Sequence, residues 1–192
     1  METQSVMIVG VGGQGSLLAS RILGNVLLAQ GYDVKVSEVH GMSQRGGSVV
    51  TYVKYGDQVY SPIVEKGEAD AIISFELLEA ARWVSYLKKG GCLVVSKQQL
   101  DPMPVVTGAA TYPEDILGHL ETLGIDVTAV DALALAESLG NAKASNVVLM
   151  GVVSRKLPFP EEVWQQALEQ CVPAKFLELN KKAFALGRNA VA

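Results

Sequence analysis

Residues 10–15 read GVGGQG, and their setting constrains the fold more than any other stretch of the chain. An apolar run, VMIVGVG (6–12), leads into them, as a buried strand does. QGSLLASRILGNVLLAQ (14–30) follows, with Leu17, Leu18, Ile22, Val26 and Leu27 at helical spacing and Gly31 as a stop signal. YDVKVSEV (32–39) then alternates like a second strand. Strand, helix and strand within about 35 residues make a βαβ unit with a right-handed crossover. In that context Gly10 permits a tight turn, Gly12 admits a phosphate to the backbone, and Gly15 allows close helix–strand packing. The first-turn amides of the helix would face an anion. A glycine turn serving packing alone fits the same letters.

Beyond residue 47 the alternation breaks and then resumes. SVVTYVKY (48–55) and QVYSPIV (58–64) read as an antiparallel hairpin turning near Gly56-Asp57. ADAIISF (69–75), a helix over 76–88 and GCLVVS (91–96) restore the α/β order. A proline-rich connection includes PVVTG (104–108) as a short strand, and 113–124 reads as a helix with acids in its first turn. IDVTAVDA (125–132) is a further strand, followed by a short helix to Gly140. SNVVLMGVVSRKL (145–157) begins with a capping serine and is apolar nearly all round, so it should be a buried helix. Amphipathic helices over 160–172 and 173–190, the latter ending at Gly187, close the chain. The expected fold is therefore α/β. It is a Rossmann-like, mostly parallel sheet covered by helices, with an inserted β-hairpin and a helical C-terminal portion (about 145–190), all in one domain, 1–192.

Between the second and third strand segments lies HGMSQRGGSV (40–49). Arg45 offers a fixed fork of donors for phosphate or carboxylate, and Gly46 and Gly47 would expose amides beside it. Ser43 and Gln44 add neutral hydrogen-bonding groups, and His40 reads as a surface histidine. A loop of this composition on an α/β scaffold points to function, with a plain hairpin connection as the bland alternative. Glu38 stands where a dinucleotide site wants a ribose-binding acid, yet this loop replaces the helix that should follow. Glu76 ends a strand segment and can serve either a ligand or the start of a helix. Asn146 reads as a hydrogen-bonding residue at a helix N-terminus.

Composition narrows the classes further. Of 192 residues 49% are hydrophobic and 19% charged, apolar enough to imply a fully covered sheet or a partner surface. The net charge of −4 argues against nucleic acid. No run is long enough for a membrane span, and the N-terminus lacks a basic leader, so a cytoplasmic protein is expected. Cys92 and Cys171 are the two cysteines, too few for a zinc site or an iron–sulfur cluster, which needs about four thiolates. With only His40 and His119 as histidines, no metal site is expected in this chain.

IVGVGGQG, EVHGMSQRGGSV and ADAIISFELLEAAR, in this order, resemble the gamma-type domain of the 2-oxoacid:ferredoxin oxidoreductases, nearest to the small (beta) subunit of the indolepyruvate enzymes. The resemblance spans roughly residues 5–155. It implies a subunit of an oxidoreductase that is inactive alone. A large alpha subunit would hold thiamine diphosphate, Mg²⁺ and [4Fe–4S] clusters, and the assembly would convert an aryl pyruvate and CoA to an acyl-CoA and CO₂ while reducing ferredoxin. Gly10, Gly12, Gly13, Gln14 and Gly15 match the family's first loop, and Ser43, Gln44, Arg45, Gly46 and Gly47 its second. Arg45 and Ser43 are the candidates for catalytic support. A free NAD(P)-binding oxidoreductase and a ligand-free assembly module are the alternatives.

Overall fold

The computed structural model of the chain describes residues 2–40 and 47–191. β1 (Gln4–Val11) is buried along most of its length and runs through the glycine turn into α1 (Ser16–Ala29). β2 (Asp33–His40) and β3 (Ser48–Gly56) follow, then β4 (Ala69–Ser74), α2 (Leu77–Trp83) and β5 (Leu87–Ser96). α3 (Met103–Val106), α4 (Ile116–Thr122), β6 (Asp126–Val130) and α5 (Ala132–Ser138) complete the alternating part. α6 (Ser145–Lys156), α7 (Glu161–Cys171) and α8 (Ala174–Asn189) form the helical C-terminal portion.

The described strands make one sheet in the order β2-β3-β1-β4-β5-β6. β1, β4, β5 and β6 pair in parallel, while β3 runs antiparallel to both β1 and β2. The β1-α1-β2 crossover therefore exists, but β3 lies between its two strands. Period-two alternation divides β1 between two cores. Val6 and Ile8 face α1, α6, α7 and α8, whereas Met7 and Val9 face α2 and α4.

The hairpin expected between 48–55 and 58–64 is not formed. β3 pairs instead with β2, from Asp33↔Gly56 to His40↔Val49. With β1 on its other side, β3 has no free edge for residues 58–64. That segment is irregular and anchored by buried Val59 and Val64, with the Val59 amide donating to Asp33 Oδ2 at 2.8 Å.

Other expectations also shift. Residues 104–108 are no strand: Pro104 sits in the first turn of the short helix α3. The helix expected over 76–88 is cut to α2 and a 3-10 turn, Val84–Tyr86, because β5 already begins at Leu87. Glu114 and Asp115 precede α4 rather than lying in its first turn, and Asp115 caps it by accepting from the Gly118 amide at 3.2 Å. Ser145 is no cap, since the 3-10 turn Ala142–Ala144 runs straight into α6. Gly187 does not end the last helix; it lies inside α8, where its missing side chain lets two helices touch. A Cβ at Gly187 would stand 1.8 Å from the Val148 carbonyl oxygen, and one at Gly151 would stand 2.1 Å from that of Phe184.

Candidate functional site

The glycine turn closes the C-terminal end of β1. Gly13 (φ +100°) and Gly15 (φ +85°) adopt left-handed backbone that other residues reach only with strain. Gln14 holds the turn in shape. Its Oε1 accepts from the Val11 amide at 2.7 Å, and its Nε2 donates to the Phe75 carbonyl and to Gln98 Oε1, both at 2.9 Å. One side chain thus ties the C-terminal ends of β1, β4 and β5 together. A Cβ at Gly10 would collide with Gln14 Oε1 at 2.8 Å, so the first glycine makes room for this brace. Gly15 serves the helix layer: a Cβ there would lie 2.3 Å from Asn146 Nδ2, which donates to the Gly15 carbonyl at 3.3 Å. Asn146 also accepts from the Val147 amide at 2.8 Å, the helix N-terminal role expected of it.

α1 opens with no side-chain cap and no acid in its first turn, which keeps this helix start hospitable to a negative group. The two loops meet here. The Gly12 amide donates to the Gly47 carbonyl at 2.9 Å, so the end of the second loop is bonded to the middle of the first. Ser43, Gln44, Arg45 and Gly46 lie outside the described residues, as does the His40 side chain.

Two carboxylates complete this edge: Glu76, read from sequence as a ligand or a helix start, and Glu79, which sequence reading missed. Glu76 is buried and caps α2, with Oε2 accepting from the Glu79 amide at 2.8 Å. Its Oε1 accepts from the Leu100 amide at 3.2 Å and from the Tyr112 hydroxyl. Burial, with Glu76 as a second cause, pushes the Tyr112 hydroxyl well above the usual phenol range, so it stays a proton donor. The even choice between ligand and helix start thus falls, in this structure, on the helix start. Glu79, also buried, accepts from Ser48 Oγ, from Trp83 Nε1 at 3.2 Å and from Arg82 at 2.8 Å. Ser48 begins β3, so Glu79 fastens the exit of the second loop to α2. The sequence signal was faint: an acid three positions after a cap, on a helix face reading as amphipathic. Beside these groups and Gly12 lies a cavity of about 270 Å³, whose wall includes Arg82 and Asp101.

Glu38 does not reach the glycine turn. It is exposed on the edge strand β2, where Thr51 Oγ1 lies 3.4 Å from its Oε2. With β3 inserted, β2 stands two strand spacings, about 9.5 Å, from β1 rather than one. The ribose-holding geometry of a dinucleotide site is absent for this acid. Among the described residues no three His, Cys, Asp or Glu side chains gather as a metal site. Cys92 is on β5 and Cys171 on α7, so the chain's cysteines do not fit an iron–sulfur cluster.

Comparison with known proteins then decides the family. Residues 5–190 match the family described as pyruvate ferredoxin/flavodoxin oxidoreductase. The chain belongs to it. Within this oxidoreductase family, the chain is 44% identical over 195 residues to indolepyruvate oxidoreductase subunit IorB of Thermococcus kodakarensis, covering 99% of this chain and 96% of that one. The IorB subunit of Archaeoglobus fulgidus is 36% identical over 189 residues, covering 96% and 94%. Two solved structures share the fold. The gamma subunit of a keto/oxoacid ferredoxin oxidoreductase from Geobacter sulfurreducens superposes with a TM-score of 0.71 at 24% identity, covering 97% and 96%. The 2-oxoglutarate:ferredoxin oxidoreductase of Magnetococcus marinus, solved with 2-oxoglutarate, coenzyme A and succinyl-CoA bound, gives 0.76 at 16% identity, covering all of this chain but 32% of that one. Because the match to proteins themselves named as subunits runs nearly end to end, this member of the family corresponds to a subunit of an oxidoreductase and not to a whole enzyme. No helix among its described residues is long and apolar enough to cross a membrane.

Proposed function

We propose that the chain is the small subunit of an indolepyruvate-type 2-oxoacid ferredoxin oxidoreductase, working as one domain in the cytoplasm. Its partner would be a large subunit that carries thiamine diphosphate, Mg²⁺ and [4Fe–4S] clusters. The assembly would oxidise an aryl 2-oxoacid with CoA to an acyl-CoA and CO₂, passing two electrons to ferredoxin. The observation that carries this reading is the Gly12–Gly47 bond, which joins the family's two glycine loops at one edge of the sheet. Thiamine would supply the carbanion chemistry from the partner. This chain's part is to bind and orient. The amides of Gly13 and Gly15 and the start of α1 favour an anion, Gly12 joins the two loops, Gln14 keeps the turn rigid, and Arg45, with Ser43, Gln44, Gly46 and Gly47, would grip a phosphate of CoA or the carboxylate of the oxoacid. NAD(P) binding gains no support from the displaced Glu38.

The test is Arg45→Ala in the co-expressed complex, assayed anaerobically. The expected result is a rise of about tenfold or more in KM for CoA or for the 2-oxoacid, equivalent to about 1.4 kcal/mol, with assembly intact. Unchanged kinetics toward both substrates would remove the assignment of this loop.

A further inference from the structure

The opposite end of the sheet carries a second cavity, larger than the first. It has about 510 Å³ and opens at the N-terminal ends of β1, β4, β5 and β6. One strand length, about 20 Å, separates it from the glycine turn. Its floor is aromatic. Tyr32, Tyr55 and Phe159 pack against one another with ring centroids 5.3, 6.1 and 6.4 Å apart, in tilted and edge-on arrangements.

The mouth is shaped by a break in the β4–β5 ladder. Ala69 pairs with Leu87 but Ala71 pairs with Cys92, so β5 advances five residues while β4 advances two. The extra residues leave the ladder through Gly90 (φ +84°) and Gly91, whose absent Cβ would stand 2.8 Å from the Asp70 carbonyl. Bulges of this kind re-aim side chains, and this one sets Lys88 against Asp70 at the rim. A second pair, Lys156 with Asp126 at 3.0 Å, stands on the same rim. The mouth therefore holds two cations and two anions above an apolar, aromatic floor.

That charge balance selects the ligand. An aryl anion meets the lysines but also the repulsion of their paired aspartates, and an arylalkyl amine meets the converse. A molecule with both charges exchanges partners and leaves none unpaired, while a flat ring meets the aromatic floor. We propose that this cavity binds an aromatic 2-amino acid as its zwitterion, a ligand chemically distinct from any 2-oxoacid because it carries an ammonium group.

Isothermal titration of the full-length chain tests this with L-tryptophan and L-phenylalanine against indole-3-propionate and tryptamine, which each lack one charge. The amino acids should bind at least about tenfold more tightly than either single-charge analogue. Lys156→Met and Asp126→Asn, both on the surface, should each weaken amino-acid binding by about tenfold without moving the urea midpoint. A readout on the unaltered chain is independent of both variants. Cys92 lines this cavity whereas Cys171 contacts Asn25 on α1, so ligand should slow alkylation of Cys92 and leave Cys171 unaffected. No binding at millimolar amino acid, equal affinity for the analogues, or an unprotected Cys92 would overturn the proposal.

Discussion

Gln14 shows how much a single side chain can carry. Motif reading offers it as a cofactor contact, but all three of its hydrogen bonds in the structure go to the protein's own strand ends. Gln14→Leu keeps the volume and strands the Val11 amide and the Phe75 carbonyl, so it should lower unfolding stability by about 2–3 kcal/mol. Urea denaturation measures this, and a loss below about 0.5 kcal/mol would mean that the brace is dispensable. Tyr55 gives a pH signature at the same scale. Burial pushes its hydroxyl up to about 12. Below pH 10 the group is neutral in both folded and unfolded chains. From pH 10 to about 12 the unfolded chain ionises first, so stability falls across that window. The loss tends toward about 2–3 kcal/mol, and Tyr55→Phe should flatten the curve there relative to the unaltered chain.

Among the elements, glycine position decides the sign of a substitution. In α1 a Cβ at Gly24 would have nothing within 4 Å, so Gly24→Ala should add about 0.5–1 kcal/mol through chain entropy and helix propensity. In α8 the same change at Gly187 meets the Val148 carbonyl, forces α6 and α8 apart and should cost about 3 kcal/mol. Thermal melts of the two variants should move in opposite directions. Sequence alone reads Gly187 as a helix end and passes over Gly24, and only the neighbouring backbone distinguishes a required helical glycine from a replaceable one. The β strands teach the same lesson. Alternation in 48–55 reveals a strand, but alternation carries no information on which edge it joins, and β3 found β2 and β1 instead of 58–64. The strand–turn–helix at 4–29 was legible because apolar run, glycine triplet and helical periodicity all agree on one answer. Asn146 and Glu79 join the site from remote elements, and a pairing across about 130 residues leaves no local trace.

For the whole molecule, the apolar composition finds much of its explanation in a sheet with a core on each face, one of them covered by α6, α7 and α8. The remainder includes exposed Val36, Val39, Tyr60, Ile63, Met103 and Val106. Affinity purification of the tagged chain from its host under anaerobic conditions should bring down a larger protein with broad iron–sulfur absorbance and bound thiamine diphosphate. Recovery of the chain alone, colourless, would speak against the subunit reading.

The antiparallel strand wedged between β1 and β2 also has a consequence for synthesis on the ribosome. In an ordinary βαβ unit the second strand can zip onto the first as soon as it emerges. Here the first forty residues hold two strands that cannot be neighbours, and β1 remains without any ladder partner until β3, beginning at Ser48, leaves the exit tunnel. At about 5–20 residues per second that is a wait of seconds with the apolar VMIVGV strand unpaired. A nascent chain arrested before residue 48 should accordingly be a preferred client for a ribosome-associated chaperone, and one arrested well beyond it should not.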